Sequence, residues 1–123
     1  MNQDATESRT ILVVDDDPEC RESLSDLLTS EGYGVACAEN GSQALEYLTH
    51  DTPRVIILDL MMPVMDGREF LKRQKRDPRL RSLPVVFVTG TWRAKGLEGQ
   101  VVVPKPIDFN VLLGAVRRAD GGH

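Results

Sequence analysis

Four short apolar runs in this chain each end in a side chain able to do chemistry. Asp15 and Asp16 follow Ile11-Leu12-Val13-Val14, and Asp59 follows Val55-Ile56-Ile57-Leu58. Thr89 follows Val85-Val86-Phe87-Val88, and Lys105 comes just after Val101-Val102-Val103. Gathered in one place, three carboxylates repel: two unit charges at ~4 Å interact by roughly 4 kcal/mol at an effective dielectric of 20. Protonation or a cation must offset that. A hard divalent cation with oxygen ligands is the natural partner, and Mg²⁺ commonly takes one or two carboxylates and keeps several waters. Lys105 adds a mobile point charge suited to a phosphoryl oxygen, and Thr89 adds a small hydroxyl. Such a set fits phosphoryl transfer, where a protein contributes positioning and charge neutralisation. An aspartyl carboxylate can itself be the nucleophile. Asp59 stands alone after the most apolar of the first three runs and is the candidate. The Asp15-Asp16 pair is the candidate metal platform.

These residues can meet only if the elements between them bring the run ends to one edge. Short continuous apolar runs of three or four residues read as strands buried on both faces. Between them lie helix signals. Asp17-Pro18 opens a helix with Leu24, Leu27 and Leu28 at helical spacing, closed near Gly32 and Gly34. Val35-Ala36-Cys37-Ala38 is a further strand. Asn40 caps a helix with Ala44, Leu45 and Leu48 on one face, and Asp66-Gly67 opens one carrying Phe70 and Leu71. Asp108 caps a last helix with Val111, Leu112, Ala115 and Val116 inward. Strand and helix alternate about five times, which predicts an α/β, doubly wound five-stranded parallel sheet with right-handed crossovers. Ligands of such sheets bind outside the carboxyl ends of the strands.

The bulk properties narrow the function classes. The 123 residues suit one domain, expected over 9–119 with loose tails at 1–8 and 120–123. The first ten residues are polar and lack the apolar core of a signal peptide, and no run is long enough to cross a bilayer. A net charge of −4 and a pI near 5.1 argue against direct nucleic-acid binding. The basic stretch Lys72, Arg73, Lys75, Arg76, Arg79, Arg81 reads as a solvated helix end and loop. Cys20 and Cys37 fit neither metal spacing nor a disulfide framework and read as small buried or half-buried side chains. A reducing cytoplasm is the expected compartment.

Five blocks in order then resemble the signature of receiver domains in two-component signalling: Val13 to Asp17, Ile57-Leu58-Asp59, Met62 to Gly67, Val88-Thr89-Gly90 and Lys105-Pro106. The resemblance spans roughly residues 9 to 119. It implies the flavodoxin-like strand order 2-1-3-4-5, with Asp59 as phosphoacceptor. It implies Mg²⁺ (or Mn²⁺) on Asp15, Asp16, Asp59 and the backbone carbonyl of Met61. Thr89 would bond the phosphoryl group and Lys105 would pair with one of its oxygens, the Lys105-Pro106 bond being cis. Gly90 would leave room beside the phosphoryl group. The phosphoryl donor would be a histidine kinase or histidine phosphotransfer protein, and a downstream protein or output domain would receive the signal. The chemistry would be self-phosphorylation and self-dephosphorylation, not turnover of external substrates.

The chain departs from the family pattern twice. Thr89 and Lys105 stand only 16 positions apart (105 − 89), several fewer than typical. The fourth helix is therefore expected to be shortened or disordered, around 93–99. Three positions before Lys105, where most receivers carry an aromatic, stands Val102. Output is expected through another surface, or through order and disorder of residues 90 to 100. Met61 and Thr91, two residues past Asp59 and Thr89, occupy positions that in the family tune hydrolysis, and an apolar Met61 implies a slowly hydrolysing form. The alternative reading is a phosphorylation-independent interaction module on the same fold. An aspartyl phosphatase would need an acid two residues after Asp59, where Met61 stands, and a nucleotide-binding domain would need a glycine-rich loop after the first strand.

Overall fold

A computed structural model describes residues 9–62, 65–90, 97 and 99–121. Its elements alternate as the apolar runs require: β1 (Thr10–Val14), α1 (Pro18–Ser30), β2 (Gly34–Ala38), α2 (Gly41–Tyr47), β3 (Val55–Asp59), α3 (Gly67–Arg76), β4 (Val85–Thr89), β5 (Val101–Pro104) and α4 (Phe109–Ala119). The five strands form one parallel sheet in the order β2-β1-β3-β4-β5. Among the described residues no helix stands between β4 and β5. The expected reduced helix, at 93–99, falls largely outside them, as do Thr91 and most of the 90–100 segment. Leu97 is described, and it is buried in the core.

Alternation along each strand divides the core in two. Leu12, Val14, Ile56, Leu58 and Phe87 face α2 and α3 with Ala44, Leu48 and Phe70. Ile11, Val13, Ile57, Val86, Val88 and Val103 face α1 and α4 with Leu24, Leu28, Leu112 and Val116. Every residue of β3 and β4 is buried, as central strands covered on both sides demand. At about 1.5–3 kcal/mol per fully buried large aliphatic or phenyl side chain, these two layers are the main stabilising term.

Because all strands are parallel, every helix starts at the carboxyl edge of the sheet and runs back to the amino edge. The starts are capped as expected: the side chains of Asp17, Asn40, Asp66 and Asp108 accept hydrogen bonds from first-turn N–H groups. Gln43 answers Asn40 by accepting from the Glu39 N–H at 2.8 Å, a reciprocal cap. Gly67 is required by packing. A Cβ there would lie 3.0 Å from Leu60 Cα and 3.2 Å from Phe87, so only glycine lets α3 start this close to the end of β3.

Two expectations are corrected. Val111 is 49% exposed, and Leu113 is buried in its place. Leu112, Ala115, Val116 and Ala119 set the inward stripe, and Val111 sits at its margin near the start of the helix. Cys37 is exposed, because β2 is an edge strand with β1 as its one neighbour. Asp120, at the head of the expected 120–123 tail, accepts a 2.6 Å hydrogen bond from Arg54 and is largely buried against it.

Candidate functional site

Strand register brings the chemistry-bearing residues level. Val14 pairs with Leu58, Asp59 with Val88 and Thr89 with Pro104. The residues just past those pairs therefore share the carboxyl edge. Backbone bonds extend the ladder there: the Asp15 N–H donates to the Ala38 carbonyl, the Leu60 N–H to Val88, and the Lys105 N–H to Thr89. The Lys105-Pro106 peptide is cis.

One carboxylate oxygen each from Asp15, Asp16 and Asp59 lie within 4.8 Å of one another. Asp15 and Asp59 are 2% and 6% exposed, whereas Asp16 opens to solvent. The Lys105 ammonium bridges the two buried acids, 3.3 Å from Asp59 Oδ2 and 3.5 Å from Asp15 Oδ2. The other Asp59 oxygen, Oδ1, accepts from the Met61 N–H at 3.2 Å. Asp15 Oδ1 accepts from the Asp17 N–H at 2.9 Å. Thr89 is buried at the same edge. Gly90 is not forced by its protein neighbours, since a Cβ there would meet only Lys105 Cβ, at 4.0 Å.

The electrostatics follow from this crowding. Burial, then the Asp15 charge, pushes the Asp59 carboxyl above the ordinary aspartate value. Lys105 and the Met61 N–H pull the other way without prevailing. For Lys105, burial presses the ammonium down, but the Asp59 and Asp15 carboxylates together outweigh it and leave its pKa raised. One lysine thus only partly compensates the buried acids. A group of three oxygen donors with excess negative charge fits a hard divalent cation.

Two neighbours of the site have no sequence signal of their own. Arg21 Nη1 donates to the Asp15 backbone carbonyl at 2.7 Å and braces the β1–α1 turn. The Cys20 thiol hydrogen-bonds Asp15 and is pushed up to about 12, by burial first and then by that carboxylate. It is therefore a neutral wall at neutral pH. Both lie on the first turn of α1, five and six positions after Asp15, and only the angle at which α1 leaves the sheet brings them there. A cavity of about 320 Å³ opens beside them, lined by Cys20, Leu24, Lys105, Pro106, Ile107 and Phe109 among others.

Comparison with known proteins agrees with this geometry. The family model of the response regulator receiver domain matches residues 11–117. Response regulator Rre1 of Synechocystis is 38% identical over 119 residues, covering 88% of this chain and 50% of that protein. Response regulator PleD of Caulobacter vibrioides is 40% identical over 116 residues, covering 89% of this chain and 26% of that protein. The chain thus spans half or less of these two relatives. Among solved structures, the signal receiver domain of a signal transduction histidine kinase from Syntrophus aciditrophicus superposes with a TM-score of 0.84. It is 32% identical, covering 92% of this chain and 90% of that one. Among the described residues no helix is long and apolar enough to cross a membrane.

Proposed function

We propose that this chain, which belongs to the family of response regulator receiver domains, performs the family's phosphoacceptor role through Asp59. The observation that carries this reading is the placement of Lys105 between the Asp59 and Asp15 carboxylates, with a third carboxylate within 4.8 Å. The donor is a phosphohistidine on a histidine kinase or phosphotransfer protein, in the cytoplasm, and the signal passes to a downstream protein or output domain.

In the transfer, a carboxylate oxygen of Asp59 forms a new P–O bond and the donor's P–N bond breaks. The electron pair leaves with the imidazole nitrogen, which is protonated. Lys105, already at the acceptor oxygen, stays with the phosphoryl group as its charge moves onto Asp59. The Met61 N–H holds the acceptor carboxylate in orientation, and Thr89 supplies a hydroxyl at the same edge. The Asp15, Asp16 and Asp59 carboxylates and the Met61 carbonyl would hold Mg²⁺ (or Mn²⁺), which supplies the neutralisation that one lysine leaves incomplete. Binding, orientation and charge balance are then all in place, and the protein needs no general base.

Intact-protein mass after incubation with a small phosphodonor and Mg²⁺ tests the reading. A single phosphoryl adduct is expected on the wild type, absent from Asp59→Asn and absent with chelator. An adduct of equal yield on Asp59→Asn, or none on either protein with metal binding verified, would overturn it.

A further inference from the structure

The amino edge of the sheet, opposite the acceptor, carries a charge concentration that phosphoryl transfer does not use. Between positions 72 and 81 stand Lys72, Arg73, Lys75, Arg76, Arg79 and Arg81 with a single acid, Asp77. That is a local net of +5 on a chain whose total is −4, which leaves −9 on the rest. All six cations are exposed. Arg73 pairs with Glu69 at 3.0 Å and Arg79 with Asp77 at 3.6 Å. Lys72, Arg76 and Arg81 make no ion pair among the described residues.

The rim is also held rigid. Gln74, fully buried on α3, donates through Nε2 to the Leu80 and Leu83 carbonyls, both at 2.9 Å. Asp77 Oδ1 accepts from the Arg79 N–H at 2.9 Å, and the Asp77 carbonyl accepts from the Leu80 and Arg81 N–H groups. The turn after α3 is thereby fixed to the helix, and the free cations keep their mutual spacing. A fixed set of charges loses less entropy on pairing than a floppy one.

Three polyanions could answer such a rim, and the surroundings separate them. An amphipathic membrane-surface helix sets apolar side chains beside its charges, and single-stranded nucleic acid is held on aromatic platforms. Among the described residues, the exposed large apolar side chains, Met61, Val101, Val102, Phe109 and Val111, lie outside this segment. A duplex or a bilayer is moreover an extended anionic surface that would repel the −9 carried by the rest of the chain. A short acidic segment touches the rim alone.

We infer that this rim docks an acidic segment of a protein partner, its carboxylates pairing with Lys72, Arg76 and Arg81. This contact is independent of Asp59 and of its phosphorylation.

The test uses a fluorescently labelled oligo-glutamate peptide of about ten residues, read by anisotropy near 50 mM salt, where the Debye length is still about 10 Å or more. The wild type is expected to bind it. Lys72→Glu/Arg76→Glu/Arg81→Glu is expected to bind roughly tenfold more weakly or not at all. Arg118→Glu, on a helix packed against the opposite face of the sheet, is expected to keep wild-type affinity. Circular dichroism and melting of each variant separate lost binding from lost fold. No binding by the wild type, or equal binding by the folded triple variant, overturns the inference. Tighter binding to duplex DNA or to phosphatidylglycerol vesicles than to the peptide overturns it as well.

Discussion

The two edges of the sheet handle charge in opposite ways. At the carboxyl edge, Asp15 and Asp59 are withdrawn from water and only partly compensated by Lys105. At the amino edge, the cations at the end of α3 and in the turn after it stay in solvent, and the buried polar group is the neutral amide of Gln74. One topology produces both. Parallel strands place all helix starts at one end, with acidic caps on α1, α3 and α4, and the basic last turns of α3 and α4 at the other, in each case complementing the helix dipole. Buried like charges store unfavourable energy that a ligand can release, whereas solvated charges store almost none. The carboxyl edge is built to respond, and the amino edge is built to hold still.

The largest effect should come from breaking the part that holds still. Gln74→Ala removes both hydrogen bonds to the Leu80 and Leu83 carbonyls and leaves a cavity beneath the turn. We expect a loss of about 2–4 kcal/mol in chemical denaturation. The loosened turn should also show faster amide exchange at Leu80 and Leu83. A loss below roughly 0.5 kcal/mol would mean that the turn is fixed by Asp77 alone, and the contrast between the edges would weaken.

A smaller effect of opposite sign is expected at the responsive edge. The raised Asp59 carboxyl means that the folded state holds its proton more tightly than the unfolded chain. Stability therefore falls as pH rises from the ordinary value of 3.8 through the higher folded value. Lys105 works the other way. Its raised pKa contributes stability that is full below 10.5 and fades as pH rises through the folded value. In chelator at pH 7, Asp59→Asn should be more stable than wild type by about 0.5–2 kcal/mol. That advantage should shrink on acidification below about pH 4, where Asp59 is protonated in both states. Mg²⁺ should stabilise the wild type more than the variant. An Asp59→Asn protein less stable than wild type in chelator would show that the Lys105 pairs outweigh the repulsion.

Much of the carboxyl edge was legible in the sequence for a physical reason. Strands buried on both faces must be apolar throughout, so the first polar residue after each run marks the sheet edge, and Asp15, Asp59, Thr89 and Lys105 all occupy that position. The caps Asp17, Asn40, Asp66 and Asp108 were legible because the first helical turn demands a side-chain acceptor. Gln74 was not. A glutamine amid lysines and arginines reads as a surface residue, and only the return of the chain at Leu80 to Leu83 gives its amide two carbonyls to bind. Arg21 and Cys20 were hidden in the same way, since their contacts with Asp15 depend on how α1 leaves the sheet. Val111 and Cys37 misled because apolar or small type was taken for burial, while helix phase and edge position decided otherwise.

The smallest expected effect is kinetic and tests one exception to the contrast. The carboxyl edge also carries an exposed apolar side chain: Met61, two residues past Asp59, is 60% exposed although its N–H is bound to the Asp59 carboxylate. The thioether is therefore free to lie over a phosphoryl group on Asp59 and to keep an attacking water away, whereas a shorter amide could hydrogen-bond that water and orient it. Met61→Asn should speed loss of the acyl phosphate by roughly threefold to tenfold, about 1 kcal/mol in the barrier, with folding stability changed by less than about 0.5 kcal/mol. The decay of the phosphoryl adduct by intact mass, started by removing the phosphodonor, measures the rate. An unchanged decay would assign the lifetime of the phosphorylated form to the buried Asp15, Thr89 and Lys105, and would leave Met61 a solvent-facing side chain like the cations of the opposite edge.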